Sequence, residues 1–323
     1  MKKKIHLLLA QVLIILIMMF NPSTAFAIGE NWWIYQGIGY PGTEENYVPI
    51  GLDEINDYRM LSFVNTTYST DGSGSVTLNN GYFYTYNKNG TISKAYALDS
   101  SAMDSVNLDQ CTPADYESLA SNITTYNYKN GKLSTVITKN KKKKTKSLSY
   151  SYKKGKLSQI TLRDYNLNNK TVYIFSNGKL IEKDHYYKNK INSIRTFKYN
   201  KKGYVSQMMD YGANKSIKES KADITYEYKN GSIYKLTLIN TYLDGEPTQA
   251  KATIIYYTKG PKKGIPISQS TCGKTSSTNW KWTKPTITKY SYDIDDSHKT
   301  VKSMYYYAYG TLYKKYDFTW AEK

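Results

Sequence analysis

The sequence predicts an all-β fold, an antiparallel meander of consecutive bulged β-hairpin repeats that forms a curved, twisted sheet. Such a sheet could be open, solenoid-like or partly closed. Three observations carry this expectation. The stretch "TYNYKNGKLSTV", Thr125 to Val136, returns as "LSYSYKKGKLSQI", "TVYIFSNGKLIEK", "TFKYNKKGYVSQM" and "ITYEYKNGSIYKL", with a looser early copy, "GYFYTYNKNGTISKA". The copies align on Gly90, Gly131, Gly155, Gly178, Gly203 and Gly231, so that after one gap of 41 residues the spacings are 24, 23, 25 and 28. Around each glycine the apolar residues recur with a period of two, the signature of strand, turn, strand.

The first strand of each unit carries paired aromatics at Tyr84/Tyr86, Tyr126/Tyr128, Tyr150/Tyr152, Tyr173/Phe175, Phe197/Tyr199 and Tyr226/Tyr228. Two residues after the glycine stand Ile92, Leu133, Leu157, Leu180, Val205 or Ile233. The turn is Asn-Gly in four copies and Lys-Gly in two, and Asn-Gly suits a type I′ turn, where both central residues need φ > 0. In a two-residue loop at Asn130-Gly131, Lys129 faces Lys132 and Tyr128 faces Leu133. Tyr126 should then face Thr135, yet the apolar residue is Val136. The same offset recurs at Ala95, Ile160, Met208 and Leu236, and only Lys183 breaks it. One extra residue on the second strand is what a β-bulge supplies, with added twist and curvature. A lone hairpin with one apolar face is marginal, so consecutive hairpins are expected to pair edge to edge. Their apolar faces turn inward and a lysine-bearing face stays wet.

The pattern aromatic-x-aromatic, turn, Gly-x-[Leu/Ile]-x-x-[Val/Ile] resembles the YD repeat of Rhs-type bacterial proteins over residues 82–240. The tail "TKYSYDIDDSHKTVKSMYYYAYGTLYKKYDF" carries the Tyr-x-Tyr-Asp beginning of that repeat. The resemblance implies hairpin ribbons that coil into shells or curled sheets at bacterial surfaces. Most copies lack the Asp after the second aromatic and the Arg after the glycine, and the chain is too short to enclose a toxin. "GYFYTYNKNGTIS" is also similar to choline- and glucan-binding repeats, although the other copies lack their tryptophans and length.

Outside the repeats the organisation reads as follows. Residues 1–27 form a secretory signal: Lys2, Lys3 and Lys4, an apolar run from Leu7 to Phe20, and Ala25-Phe26-Ala27 before the cut. That run is short of the roughly 20 residues that span a bilayer. Residues 28–80 are expected to be an acidic cap region, 81–257 the hairpin-repeat domain, and 258–286 a Gly/Pro/Ser/Thr-rich surface loop around Trp280 and Trp282. Residues 287–323 should add C-terminal hairpins to the same sheet. "CTPADYESLA", Cys111 to Ala120, can start a short helix, with Thr112 as N-cap and Pro113 at its first position. Cys111 and Cys272 are candidates for a disulfide, which export permits but sequence cannot settle.

Charge divides along the chain. Residues 28–124 carry twelve Asp/Glu against three Lys/Arg, and residues 125–323 carry fourteen against thirty-nine. A net of +25 over the body suggests a polyanionic partner, or contact between head and body. Arg59, Arg163 and Arg195 are the only arginines. Lysine is a hydrated point charge without the planar fork that reads phosphates and base edges bidentately, so it suits diffuse attraction. The run Lys139 to Lys146 ("KNKKKKTK") is expected to be a connection between hairpins, either a solvated link or an electrostatic landing pad. Lys129, Lys132, Lys139, Lys141, Lys142, Lys143, Lys144 and Lys146 are thus the candidate polyanion contacts.

No constellation for chemistry stands out. His185 should be an exposed strand or turn residue. His298 with Asp293, Asp295 and Asp296 reads as an acidic turn without the spacing of a calcium loop. Glu44, Glu45, Asp53 and Glu54 could in principle supply a hydrolytic carboxylate pair, but nothing selects them. No cofactor and no metal are expected, and contact with a membrane only during export. The leading expectation is a secreted, non-enzymatic protein of a Gram-positive-like cell surface that binds an anionic polymer, a teichoic acid-like wall polymer or extracellular nucleic acid. The rivals are a wall-glycan binder stacking sugars on Trp280 and Trp282, and an exported hydrolase.

Overall fold

The computed structural model describes residues 58–68, 76–105, 107, 110–177, 179–243, 248–259, 266–275, 278–295, 300–308 and 311–322. The expected signal peptide, Glu44, Glu45, Asp53, Glu54 and His298 lie outside them. Eighteen strands make one antiparallel sheet: β1 Tyr58–Tyr68, β2 Val76–Tyr86, β3 Ile92–Asp99, β4 Asn122–Lys129, β5 Lys132–Asn140, β6 Lys143–Lys153, β7 Lys156–Asp164, β8 Asn169–Ser176 and β9 Lys179–Tyr187. The second half is β10 Lys190–Tyr199, β11 Val205–Tyr211, β12 Lys218–Lys229, β13 Ser232–Tyr242, β14 Thr248–Tyr256, β15 Pro266–Lys274, β16 Thr286–Asp295, β17 Thr300–Ala308 and β18 Thr311–Glu322. Two short helices, α1 Ser100–Asp104 and α2 Pro113–Leu119, interrupt the meander between β3 and β4.

The hairpin register follows the sequence pattern residue by residue. Lys129 pairs with Lys132, Tyr128 with Leu133 and Tyr126 with Val136, the ladder shifting between Asn127 and Tyr128. The same shift sets Tyr84 against Ala95, Tyr150 against Ile160, Phe197 against Met208 and Tyr226 against Leu236. Tyr173 meets Lys183, the copy that departs from the pattern. Asn130 and Gly131 have φ of 52° and 72°, Lys154 and Gly155 49° and 77°, and Asn230 and Gly231 54° and 72°. These are the positive values that a type I′ turn requires. At Gly90 and Gly203 the loop is wider instead, closed by Asn87 N–H to Thr91 O and Asn200 N–H to Tyr204 O.

Every strand pairs with its sequence neighbours, and β18 pairs back onto β1 from Tyr58↔Glu322 to Thr67↔Lys314. The ladder therefore returns on itself and leaves no terminal strand among the described residues, which removes the edge that an open sheet would present. Two expectations about domains are corrected by this ring. The second half of the supposed cap, residues 58–68 and 76–80, belongs to β1 and β2, because β1 supplies the partner that β18 needs. Within the supposed loop 258–286, residues 266–274 form β15. Its inward position is polar Gln269, which hid the alternation, and the buried Tyr290 hydroxyl donates to the Gln269 Oε1 at 2.9 Å.

The inward face carries the main apolar cluster, with polar side chains such as Thr124, Thr138 and Asn240 buried on the same face. Ile160, Leu236 and Ile254 are each 0% exposed, and Tyr82, Tyr126, Leu148, Tyr173, Leu238 and Tyr292 belong to the same buried cluster. A second, smaller cluster lies on the opposite face, where Phe83 and Leu98 meet Met103 of α1, and Tyr116 of α2 stacks on Phe83 with ring centroids 4.3 Å apart. Gly81 makes room for α1, since a Cβ there would sit 2.8 Å from Met103 Sδ. Helix α2 starts as the sequence predicts: the Thr112 side chain accepts from Asp115 N–H and the Asp115 carboxylate accepts from Thr112 N–H.

The turns fall at two ends of the ring. One end, the turn end, carries 87–91, 130–131, 154–155, 200–204 and 230–231 and the Ser176–Lys179 connection. The far end carries 141–142, 165–168, 188–189, 212–217 and the helical connection between β3 and β4.

Candidate polyanion-binding surface

The lysine run is not a connection. Lys139 lies on β5, Lys143, Lys144 and Lys146 lie on β6, and only Lys141 and Lys142 form the turn. Lys141 takes the left-handed φ of 51°, so two residues suffice to reverse the chain. Lys139, Lys141, Lys142, Lys143 and Lys144 are exposed at the far end. Lys144 Nζ stands 4.7 Å over the Tyr165 ring, and Lys146 is half-buried with Nζ 3.7 Å from the Asp164 carboxylate. The run thus offers five exposed charges on a hairpin tip, and Lys146 is turned into an ion pair.

Lys129 and Lys132 sit at the turn end, and there a periodic device appears that the sequence reading missed. Tyr152 donates its hydroxyl to Leu133 O at 2.9 Å, Tyr199 to Leu180 O at 2.7 Å, and Tyr226 to Val205 O at 2.7 Å. Each acceptor is the apolar residue two after the turn glycine of the preceding unit. The lysine of that preceding turn then covers the next unit's ring. Lys132 Nζ lies 5.2 Å over Tyr152, Lys179 5.0 Å over Tyr199 and Lys202 3.4 Å over Tyr228. Lys132 Nζ also donates to Gly155 O at 2.6 Å. Cation–π contacts at exposed sites are worth about 0.5–1 kcal/mol each, enough to favour one ammonium position without neutralising it. The sequence signal was present, in a lysine beside the turn glycine of each of these units and a tyrosine three or four residues before the next one, but it needed the neighbour-to-neighbour pairing to be read.

Trp280 is exposed in a turn where its own φ is 58°, and Trp282 lies between Lys251 and Lys274, whose Nζ atoms are 4.6 and 5.0 Å from its ring. The two cysteines do not pair. Cys111 precedes the N-cap of α2 and lies 3.4 Å from Asn107 O, whereas Cys272 sits within β15 opposite Lys251, and both are free thiols.

His185 is half-buried rather than exposed, because it follows the Lys183 break into the inward face opposite Thr171, whose Oγ1 is 3.2 Å from Nδ1. Burial and the nearby Lys183 lower its pKa, which keeps the ring neutral at physiological pH. On the outward face of β9, the 212–217 loop reaches back so that Lys215 Nζ lies 2.5 Å from the Glu182 carboxylate. Beside it Asp184 is buried, and desolvation with the neighbouring Glu182 pushes its carboxyl up to about 6. Asp293 accepts from the Tyr305 hydroxyl at 2.6 Å.

No family model matches the chain, and neither does any curated protein. Among solved structures, a porin-like protein of Bacteroides uniformis is similar over 81% of this chain and 98% of its own, at 11% identity and a TM-score of 0.41. A porin-like protein of Bacteroides vulgatus matches 80% of this chain and 97% of its own, at 10% identity and a TM-score of 0.37. A mutant of S. aureus TarM matches 37% of this chain and 20% of its own, at 15% identity and a TM-score of 0.19.

Proposed function

We propose that the chain is an exported, non-enzymatic hairpin-repeat protein of the bacterial cell surface that holds an anionic polymer through its lysines. The carrying observation is the separation of faces: the aromatic and aliphatic residues are buried on one side of the sheet, and the exposed side and turns display lysine. The degenerate YD-repeat pattern and the signal-like sequence of residues 1–27 support the same reading. A teichoic acid-like wall polymer fits best, since lysine attracts phosphate without demanding base recognition. Binding through lysines releases counterions and weakens steeply with salt. Purified protein should pellet with cell walls at low salt and be released near about 0.5–1 M, where charges are screened within roughly 3–4 Å. Retention that ignores both salt and removal of anionic wall polymer would overturn the proposal.

A second reading, stacking of neutral glycan, is favoured by the exposed Trp280. It requires competition by soluble sugar, indifference to salt and loss of binding in Trp280→Ala. Trp282 is a poorer platform, as two ammonium groups already stand over it.

A further inference from the structure

Six successive turns between β2 and β13 carry lysine without acid at one end of the ring, where the only described acids are Asp295 and Glu322 at the ends of β16 and β18, and this names a surface that the lysine run does not. The stretches 87–91, 129–132, 153–156, 176–179, 200–204 and 229–232 contain ten lysines and no Asp or Glu. All ten (Lys88, Lys129, Lys132, Lys153, Lys154, Lys156, Lys179, Lys201, Lys202 and Lys229) are exposed. The far end, by contrast, mixes signs. Its lysines at 141–143 share that end with Asp99, Asp104, Asp115 and Glu117 on the helical connection and with Asp164 beside the next turn. Acidic residues of the negatively charged stretch 28–124 are thus placed at the same end as the most conspicuous lysine cluster.

We infer that the turn end is the docking surface, a lysine crown that takes a flexible, linear polyanion of phosphate groups laid along successive hairpin turns. The inference rests on the polymer-binding reading above and deepens it. Successive turns on this end are two strands apart, which is about 10 Å at the usual strand spacing. A polymer that bends on that scale can meet several turns in sequence. Duplex DNA cannot, because its persistence length is about 500 Å. The crown is also pre-positioned: Lys132, Lys179 and Lys202 each stand over a tyrosine of the following unit, so their charges need not be ordered by the ligand.

The test compares two quadruple variants of the full mature chain, each binding long-chain inorganic polyphosphate across a salt series. Lys129, Lys154, Lys201 and Lys229, all to Gln, alter the crown, and Lys139, Lys141, Lys142 and Lys143, all to Gln, alter the far end. The crown variant should bind at least tenfold more weakly at low salt. Its slope of log K on log salt should fall by about 3, at roughly 0.7 per lost contact, while the far-end variant keeps the native slope. Single Lys129→Gln and Lys229→Gln variants, each expected to lower the slope by about 0.7, serve if the quadruple variant does not fold. Equal losses in both quadruple variants would overturn the crown and leave the polyanion reading standing. No binding by the native chain would overturn both. Tighter binding to duplex DNA of equal charge than to polyphosphate would overturn the flexible-polymer assignment.

Discussion

Tyr152 donates its hydroxyl to the carbonyl oxygen of Leu133 at 2.9 Å, and this bond crosses from one repeat to the previous one. The backbone ladder already joins adjacent strands, but it does so uniformly and gives no reason for tyrosine over phenylalanine. The hydroxyl supplies that reason. Burial pushes the Tyr199 phenol far above its usual range, so its hydrogen stays available to Leu180 O throughout the physiological range.

Replacing Tyr152, Tyr199 or Tyr226 by Phe should each lower stability by about 1 kcal/mol, the net worth of one intramolecular hydrogen bond. Tyr152→Phe and Tyr226→Phe should add within about 0.5 kcal/mol, because they act on different units. Tyr199→Phe and Tyr226→Phe should depart from additivity. Tyr199 pairs across its hairpin with Val205, the residue whose carbonyl Tyr226 uses. Urea denaturation of the singles and doubles reads the coupling directly.

The Asn130-Gly131 turn gives a cleaner test of backbone strain. A Cβ added at Gly131 would meet nothing within 4 Å, yet φ there is 72°. Gly131→Ala should therefore destabilise by roughly 1–2 kcal/mol through the left-handed conformation alone. Gly131→Asn should recover part of that loss, as Asn tolerates positive φ. An Ala variant as stable as the native chain would show that the turn opens.

These turns are also where sequence was most legible. Period-two alternation, Asn-Gly and the one-residue offset at Val136 together fix register, because a slip by one residue would turn inward tyrosines such as Tyr126 and Tyr173 to water. Ring closure was not legible. β1 carries no repeat glycine and its partner β18 is more than 240 residues away, so pairing between them leaves no local mark. Gln269 hid β15 because a satisfied polar group can occupy an inward position as well as an apolar one. Among the candidate site residues, Lys129 and Lys132 were found for their charge, but their neighbours on the crown are separated by a repeat length. A contiguous run such as Lys139 to Lys146 is legible at once, whereas lysines one repeat apart become neighbours only when the strands pair.

Asp184 offers a pH test. Its carboxyl is raised to about 6 by burial and by Glu182, with Lys215 and Lys170 opposing. The folded chain thus holds the proton more tightly than the unfolded one. That contribution is fully present below about pH 4, the ordinary carboxylate range, and is lost as pH rises through about 6. Asp184→Asn removes the buried charge, so its melting temperature should exceed the native value at pH 7 and converge with it towards pH 4. A constant difference across this range would mean that the residue acts through packing alone.

Closure makes the strongest mechanical prediction. Deleting residues 28–80 removes β1 and the first residues of β2, so β18 and the truncated β2 each lose a partner. Deleting residues 311–323 removes β18 and exposes β1 and β17 instead. In either case two rows of unpaired backbone groups appear where the native ring has none, and such edges recruit other strands. Both truncations should therefore form soluble oligomers or aggregates, rising with concentration in size-exclusion chromatography, while the native chain keeps one elution volume. Mixing the 28–80 deletion with a peptide spanning residues 58–68 should suppress that association, since the peptide restores the strand that β18 and β2 share. An N-terminal truncation that stays monomeric, unfolds cooperatively and ignores the peptide would show that β1 is dispensable, and that the ring is held by the remaining hairpins alone.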